Sequence, residues 1–168
     1  MAPRIYGSVW ELNLNMPPFV SQPPQYTVAE SIELQKRTAE VVKAEDPGAL
    51  VLGACPSYFR PEWFQSMFKE GLLRYIDGLE THGYHTGTFT PEEWDFPGKI
   101  REVKSLMERF GGKLLPIYMT ELGEWGKVGT EIIHRAQAQH MVRAAIIMKG
   151  EGVRVFLPFF GIDYERAG

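Results

Sequence analysis

The sequence predicts an α/β fold in which parallel strands alternate with helices. Short apolar runs and amphipathic stretches follow one another along the chain, which is the pattern of strand–helix units in a parallel sheet. The 168 residues are 44% hydrophobic and 23% charged, as in an ordinary globular domain. This composition excludes a disordered chain, a collagen and a coiled coil. We therefore expect a single domain over residues 1–168, with five strands and four helices.

The individual elements are predicted from local signals. The first strand should run from Ile5 to about Asn15. After a proline-rich loop, Thr27 and Glu30 have the spacing of a capping box, which predicts a helix start. Asp-Pro-Gly at 46–48 should end that helix. The same kinds of signal predict strands over 49–54, 78–84, 114–121 and 153–160, and helices over 61–75, 90–111 and 130–150. Within the helix over 90–111, residues 97–98 (Pro-Gly) predict an interruption.

Charge and hydropathy limit the partners. The net charge is -3 and the basic residues are scattered, so nucleic acid is not an expected partner. No run approaches the ~20 apolar residues that span a bilayer, so no membrane partner is expected either. The first residues lack the apolar stretch of a signal peptide. The chain is therefore either intracellular, with a cytoplasmic location slightly favoured, or has lost a leader. A lone Cys55 cannot form an internal disulfide.

Functional side chains are expected where parallel strands end, because those ends meet at one edge of the sheet. Carboxylates and aromatic residues prevail there, and no cluster of His and Cys with metal-ligand spacing occurs. This combination favours sugar chemistry over metal chemistry, so we expect neither a metal nor a cofactor. The side chains at the predicted strand ends are Glu11, Asn13, Asn15, Cys55, Ser57, Glu80, His82, Tyr84, Glu121, Glu124, Phe159, Phe160 and Asp163.

Several segments, in the same order along the chain, resemble strands and helices of the clan A retaining glycoside hydrolases, which are (β/α)8 barrels. Residues 115–125 (LPIYMTELGEW) are similar to the seventh strand of those enzymes, which carries the nucleophilic glutamate. Residues 75–84 (YIDGLETHGY) are similar to their sixth strand. Residues 9–12 resemble the opening of the fourth strand, 44–53 the fourth helix and fifth strand, and 139–163 the last helix and eighth strand. The resemblance covers nearly the whole chain.

This resemblance implies half of a (β/α)8 barrel and a carbohydrate substrate or ligand. Glu121 takes the position of the nucleophile, and His82 and Tyr84 take positions that line the sugar site. Glu80, His82 and Tyr84 alternate onto one face of their strand, and Glu80 is the one other carboxylate that could supply a proton. Four further residues are candidate sugar contacts, although the aromatic ones could equally serve packing and the amides could simply fill a polar barrel mouth. They are Asn13, Asn15, Trp125 and Phe159.

The general acid and base of those enzymes has no counterpart here. They end the fourth strand with Trp-Glu-x-x-Asn-Glu-Pro, whereas residues 10–17 read WELNLNMP. Asn15 or Met16 takes the catalytic position, depending on the alignment, and neither can donate a proton. On an extended strand Glu11 would lie roughly 13 Å deeper than Asn15, so we expect a buried structural carboxylate. We therefore expect weak or absent hydrolysis, or alternatively a non-catalytic carbohydrate-binding or self-assembling module.

The length is the second departure. A full barrel takes about 250 residues, and this chain matches only the fourth to eighth strands. The inner face and the two edge strands would be exposed to water. We therefore expect a homodimer in which two half-barrels cover one another. Five strands from each copy make ten, so closure to eight would require some strands to leave the register.

Overall fold

A computed structural model describes residues 4–7, 11, 27–84, 89–123 and 131–159, without the side chains of 131–134. Five parallel strands form one sheet in the order β1-β2-β3-β4-β5. The sheet curls into half of a barrel, which confirms the predicted fold class. The strands are β1 (Ile5–Tyr6), β2 (Leu50–Ala54), β3 (Gly78–His82), β4 (Ile117–Leu122) and β5 (Val155–Pro158).

Each pair of successive strands is connected through one of four α-helices. The helices are α1 (Val28–Glu45), α2 (Pro61–Lys69), α3 (Phe96–Gly111) and α4 (Glu131–Gly150), with a short 3-10 helix over Leu72–Arg74. The capping box at the start of α1 is confirmed. The Thr27 backbone N–H donates to Glu30 Oε2 at 2.7 Å, and the Glu30 N–H donates to Thr27 Oγ1 at 3.2 Å. No helix in the described ranges is both long and apolar enough to cross a bilayer.

Two helix boundaries differ from the prediction. The second helix ends at Lys69 because Gly71, with a φ of 90°, turns the chain into the 3-10 helix. The third helix begins at Phe96, so residues 97–98 start the helix and do not interrupt it. Proline fits a first helical turn because its missing N–H would have no partner there. The Asp95 side chain accepts a hydrogen bond from the Gly98 N–H at 3.2 Å and caps this end.

The first strand is shorter than predicted. Its described part ends at Tyr6, and Glu11 is not extended, because its φ is 50°. The third strand ends at His82, and Tyr84 forms an isolated bridge with Tyr58. The left-handed backbone at Glu11 rotates its side chain out of the alternation that a strand would impose.

The core fills the space between the sheet and the helices. Leu79, Ile117 and Met119 contribute from β3 and β4, and each is at most 2% exposed. Phe59 and Phe96 pack against them as part of the same cluster, with ring centroids 5.6 Å apart and planes nearly perpendicular. This apolar layer packs against one side of β3 and β4, so the alternate residues of those strands face the inner side of the half-barrel.

Gly53 allows α1 to approach β2 closely. The Gln35 side chain is 3% exposed, and its Nε2 donates to the Leu52 carbonyl at 3.5 Å. A methyl group at Gly53 would collide with Gln35 Oε1 and lie 2.6 Å from Ile76 Cγ2. The contact between helix and strand therefore depends on the absent side chain.

We predict that Gly53→Ala lowers the free energy of unfolding by about 1–3 kcal/mol, because the added methyl overpacks this contact. Gly150→Ala is the matched control, since a methyl there meets no atom within 4 Å. Urea denaturation of both variants measures the difference. An equal effect in the two proteins would contradict the close approach at Gly53.

Candidate active site

One extra residue in β4 brings two neighbouring polar side chains to the inner face. Thr81 pairs with Met119 and His82 pairs with Glu121, which leaves Thr120 without an opposite residue in β3. The β4–β5 pairing shows the same shift between Met119 and Leu122. A bulge of this kind breaks the alternation of a strand. Glu121 and Thr120 can therefore both face the side opposite the core.

Glu121 lies beside two of the residues that the resemblance associates with it. The Tyr84 hydroxyl donates a hydrogen bond to Glu121 Oε2 at 3.1 Å. His82 Nδ1 lies 3.4 Å from the same oxygen. The Glu121 side chain is 15% exposed, whereas that of His82 is 2% exposed. His82 thus contacts this carboxylate oxygen from the buried side, and Tyr84 contacts it from the more open side.

Glu11 is also part of this cluster, which the sequence argument missed. Glu11 Oε1 lies 2.8 Å from His82 Nδ1, and atoms of Glu11, His82 and Glu121 all lie within 4.8 Å of one another. The predicted burial is correct, because the Glu11 side chain is 9% exposed. The predicted depth assumed an extended strand. The positive φ of Glu11 and its N–H bond to the Cys55 carbonyl at 2.9 Å replace that geometry.

The ionisation of Glu11 decides what it can do. Burial alone would raise the pKa of its carboxyl, but hydrogen bonds with His82 and Ser57 outweigh burial and hold that pKa below its ordinary value. Glu11 is therefore ionised at neutral pH and cannot protonate a leaving group. Its separation from Glu121 does not exclude an acid role, but its charge does.

Glu80 has the opposite tendency. Burial raises the pKa of its carboxyl, and the charge of Glu121 adds to the effect, while the hydrogen bond from Thr120 Oγ1, at 3.1 Å, opposes it. As predicted from strand alternation, Glu80 lies on the inner face with His82 and Tyr84. A methyl group at Gly7 would lie 2.6 Å from Glu80 Oε2, so the carboxyl is directed towards the end of β1.

Tyr84 and Cys55, which contact Glu121 and His82, keep their protons at neutral pH. Burial and the charges of Glu121 and Glu11 raise the pKa of the Tyr84 hydroxyl, which therefore remains a hydrogen-bond donor. Cys55 Sγ lies 3.4 Å from His82 Nε2. Burial and the nearby carboxylates raise the pKa of its thiol, so this cysteine is not activated as a nucleophile.

Of the other candidate sugar contacts, the structure places only Phe159. Its ring lies edge-on to that of Tyr84, with centroids 6.4 Å apart. Its backbone N–H donates to the Leu122 carbonyl at 2.9 Å, next to the end of β4. Asn13, Asn15 and Trp125 lie outside the described residues, as does Met16.

No protein-family model and no curated protein matches the sequence. Solved structures do match it. The chain is similar to a GH39 β-xylosidase from Caulobacter crescentus, with 25% identity, a TM-score of 0.62, and coverage of 92% of this chain and 32% of that one. It is also similar to a GH51 α-L-arabinofuranosidase from Thermotoga petrophila RKU-1, with 15% identity, a TM-score of 0.66, and coverage of 92% and 33%.

A third similar structure is BuGH86 in complex with neoagarooctaose, with 13% identity, a TM-score of 0.69, and coverage of 91% of this chain and 28% of that one. The chain thus spans about a third of the length of the glycoside hydrolases it matches. The resemblance to these enzymes is confirmed as a likeness of fold, and it corresponds to part of their barrels.

We predict that the free energy of unfolding of Glu80→Gln, relative to that of the parent protein, is higher at neutral pH than in acid. A carboxyl whose pKa is raised on folding contributes stability below its unfolded pKa, near 4.5, and loses it as the pH rises through the folded pKa. The glutamine variant escapes this loss. Its advantage should grow by about 1.4 kcal/mol for each pH unit between those two pKa values.

Urea denaturation of both proteins at about pH 4 and about pH 7 measures this change. Glu102→Gln, on the exposed face of α3, is the control and should show no such growth. A constant difference between Glu80→Gln and the parent protein at both pH values would refute the elevated pKa.

Proposed function

We propose that this half-barrel is a glycoside hydrolase-like domain of the retaining type, with Glu121 as its nucleophile. The observation that carries the proposal is the position of Glu121 at the end of β4, with Tyr84 OH at 3.1 Å and His82 Nδ1 at 3.4 Å from Oε2. These contacts fix a carboxylate at the edge of the sheet where barrel enzymes bind substrate. The similar solved structures of glycoside hydrolases support the same interpretation.

In the proposed reaction Glu121 attacks the anomeric carbon of a sugar. A carboxylate oxygen forms an ester bond to that carbon while the bond to the leaving oxygen breaks and its electron pair departs with that oxygen. Water then attacks the same carbon, the ester bond breaks with its electron pair returning to Glu121, and the proton lost by the attacking water passes to bulk water. Tyr84 and His82 hold Glu121 in place as positioning residues throughout.

The proton supply limits this reaction. A natural leaving group needs an acid, which contributes typically 10²–10⁴-fold. Glu11 is ionised because of its hydrogen bonds with His82 and Ser57, and residues 15–16 (Asn-Met) carry no acidic proton. Burial raises the pKa of Glu80, but its carboxyl is directed towards the end of β1 and accepts a hydrogen bond from Thr120, so we do not assign it as the acid. We therefore expect slow cleavage of natural glycosides. The phenolate of an activated aryl glycoside departs without protonation by an acid, so such a substrate should form the covalent intermediate with Glu121.

The substrate class we propose is a glycoside of a small sugar, with Tyr84 facing its hydroxyls and Phe159 packing on its ring. His82, which is 2% exposed, lines the site from behind Glu121. Asn13, Asn15 and Trp125 are proposed as further contacts. Two similar structures are a β-xylosidase and an α-L-arabinofuranosidase, so the pentosides named in those titles are the first probes.

We predict that a 2,4-dinitrophenyl 2-fluoroglycoside of xylose or arabinofuranose labels one carboxylate. Release of the phenol should give a burst of about one equivalent per chain, and mass spectrometry should find the fluorosugar on the peptide that contains Glu121. Glu121→Gln should abolish both signals, because an amide is too weak a nucleophile. Glu102→Gln is the matched control and should react like the parent protein. Equal bursts from Glu121→Gln and the parent would exclude this nucleophile.

A non-catalytic carbohydrate-binding module is the second candidate, and the ionised state of Glu11 favours it. Calorimetry with xylo-oligosaccharides separates the two. Binding without any labelling at Glu121 and without release of reducing ends supports the module. If neither sugar binding nor any reaction is detected, the protein is a purely structural or self-assembling barrel remnant.

We also propose that a second copy of the chain covers the inner face. Strands β1 and β5 form the two edges of the described sheet. Both edges expose apolar side chains, with Ile5 48% and Leu157 50% exposed. Exposed edge strands and apolar faces are normally covered by another element or chain.

Light scattering at micromolar concentration should therefore give twice the mass of the chain. Leu157→Lys should shift the protein towards the monomer, because a charge would be buried at the proposed contact. Ile146→Lys is the control, since Ile146 is 66% exposed and lies on α4, not on an edge strand of the sheet. A folded monomer of the parent protein would contradict the homodimer.

A further inference from the structure

We infer that Glu11, His82 and Glu121 form a binding site for one divalent transition-metal ion of the zinc type. The sequence predicts no metal, because carboxylates and aromatic residues prevail at the strand ends without a cluster of His and Cys. The fold brings them together from the segment after β1, from β3 and from β4. Each offers one ligand atom, and the three atoms lie within 4.8 Å of one another. Glu11 Oε1 and Glu121 Oε2 are the carboxylate oxygens that contact His82 Nδ1.

The geometry needs only small adjustments to hold the ion. Zinc binds imidazole nitrogen at about 2.0–2.1 Å and carboxylate oxygen at about 2.0–2.2 Å, which places tetrahedral ligand atoms about 3.4 Å apart. The two distances to His82 Nδ1 are 2.8 Å from Glu11 and 3.4 Å from Glu121. Rotation of the two carboxyl groups would bring the three atoms to tetrahedral spacing. A fourth position would remain for water.

Charge also favours a divalent ion at this point. Two carboxylates face a single ring nitrogen, and one proton on Nδ1 can make a short bond with only one of them. Glu11 has the short contact, at 2.8 Å, and Glu121 the longer one. A divalent ion in place of that proton would contact both carboxylates and neutralise their charge. The nitrogen ligand favours Zn²⁺ over Mg²⁺, which prefers oxygen ligands.

The other ring nitrogen already has the support that a ligating histidine needs. A histidine bound to metal through one nitrogen usually donates a hydrogen bond from the other. His82 Nε2 lies 3.4 Å from Cys55 Sγ, which can accept that hydrogen bond. When the metal replaces the proton on Nδ1, the ring can keep a proton on Nε2. Cys55 would thus orient the ring of His82 and would not bind the ion itself.

The ion would compete with the proposed reaction, and this part rests on the proposed function. A metal bound to Glu121 Oε2 withdraws electron density from the carboxylate and occupies the space beside it. Zinc should therefore slow labelling of Glu121 by the fluoroglycoside at least tenfold when the site is saturated. The binding of zinc itself is measured without any sugar, so failure of the catalytic proposal leaves this measurement valid.

The test is calorimetric titration of Zn²⁺ into the full chain after treatment with EDTA. We expect one ion per chain, and a loss of affinity of tenfold or more in Glu11→Gln and in His82→Gln. Mg²⁺ should not compete at equal concentration. Glu11→Gln keeps the size of the side chain, so it remains informative if His82→Gln fails to fold, which circular dichroism would reveal.

Two further variants locate the ion. Cys55→Ser should lose less zinc affinity than Glu11→Gln, because the hydroxyl still accepts a hydrogen bond from Nε2 whereas Glu11→Gln removes a ligand. His140→Gln, on α4, should bind zinc normally. Loss of affinity in Cys55→Ser with normal binding by Glu11→Gln would place the ion on the wrong ring nitrogen and overturn the proposal. Equal affinity in all variants, or no binding at all, would overturn it as well. If zinc binds as expected but labelling of Glu121 is not slowed, the competition is refuted.

Discussion

The extra residue in β4 determines which side chains of that strand reach the inner face. Met119 packs in the core, so in a regular strand Thr120 would face inward and Glu121 outward. The shift of register places Glu121 opposite His82 instead, while Leu122 returns to the core. The apolar contacts on both sides of the bulge hold this irregular backbone in place. The proposed nucleophile therefore depends on core packing as much as on its own hydrogen bonds.

The carboxyl groups on the inner face have pKa values that are shifted in opposite directions by their surroundings. Glu11 and Glu80 are both carboxyls in partly buried positions, yet the pKa of one is lowered and that of the other is raised. The difference comes from their partners. Glu11 has His82 beside it, whereas Glu80 has Thr120 and is repelled by Glu121. His82 thus keeps a negative charge close to Glu121 and supplies a single ring nitrogen to two carboxylates. This arrangement explains how one cluster can suit both a fixed nucleophile and a metal ion.

The parts of this structure that the sequence predicts are those set by neighbours in the chain. Thr27 and Glu30 define the start of α1 within three residues, and Gly112 ends α3 with a positive φ of 68°. The resemblance and the strand alternation place Glu121, His82 and Tyr84 on one face. Glu11 was misplaced because a strand was assumed where the backbone is left-handed. Neither this turn nor the contact with His82, 71 residues away, has a local signal. The bulge is equally invisible, since it depends on pairing with β3 and β5.

The buried part and the open part of the half-barrel differ in what they can contribute to the proposed cleavage of a sugar. The Glu11–His82 pair is already buried, so it needs no further cover to keep its hydrogen bond strong. Glu121, Tyr84 and Phe159 border the more open side, where water screens charge and competes for hydrogen bonds. Reactions that develop charge on a sugar gain most when water is excluded. This sheet alone can therefore hold the proposed nucleophile in position, whereas enclosure of a proposed sugar substrate requires an element or chain that covers the inner face. That is why the state of assembly and the rate of labelling at Glu121 should change together.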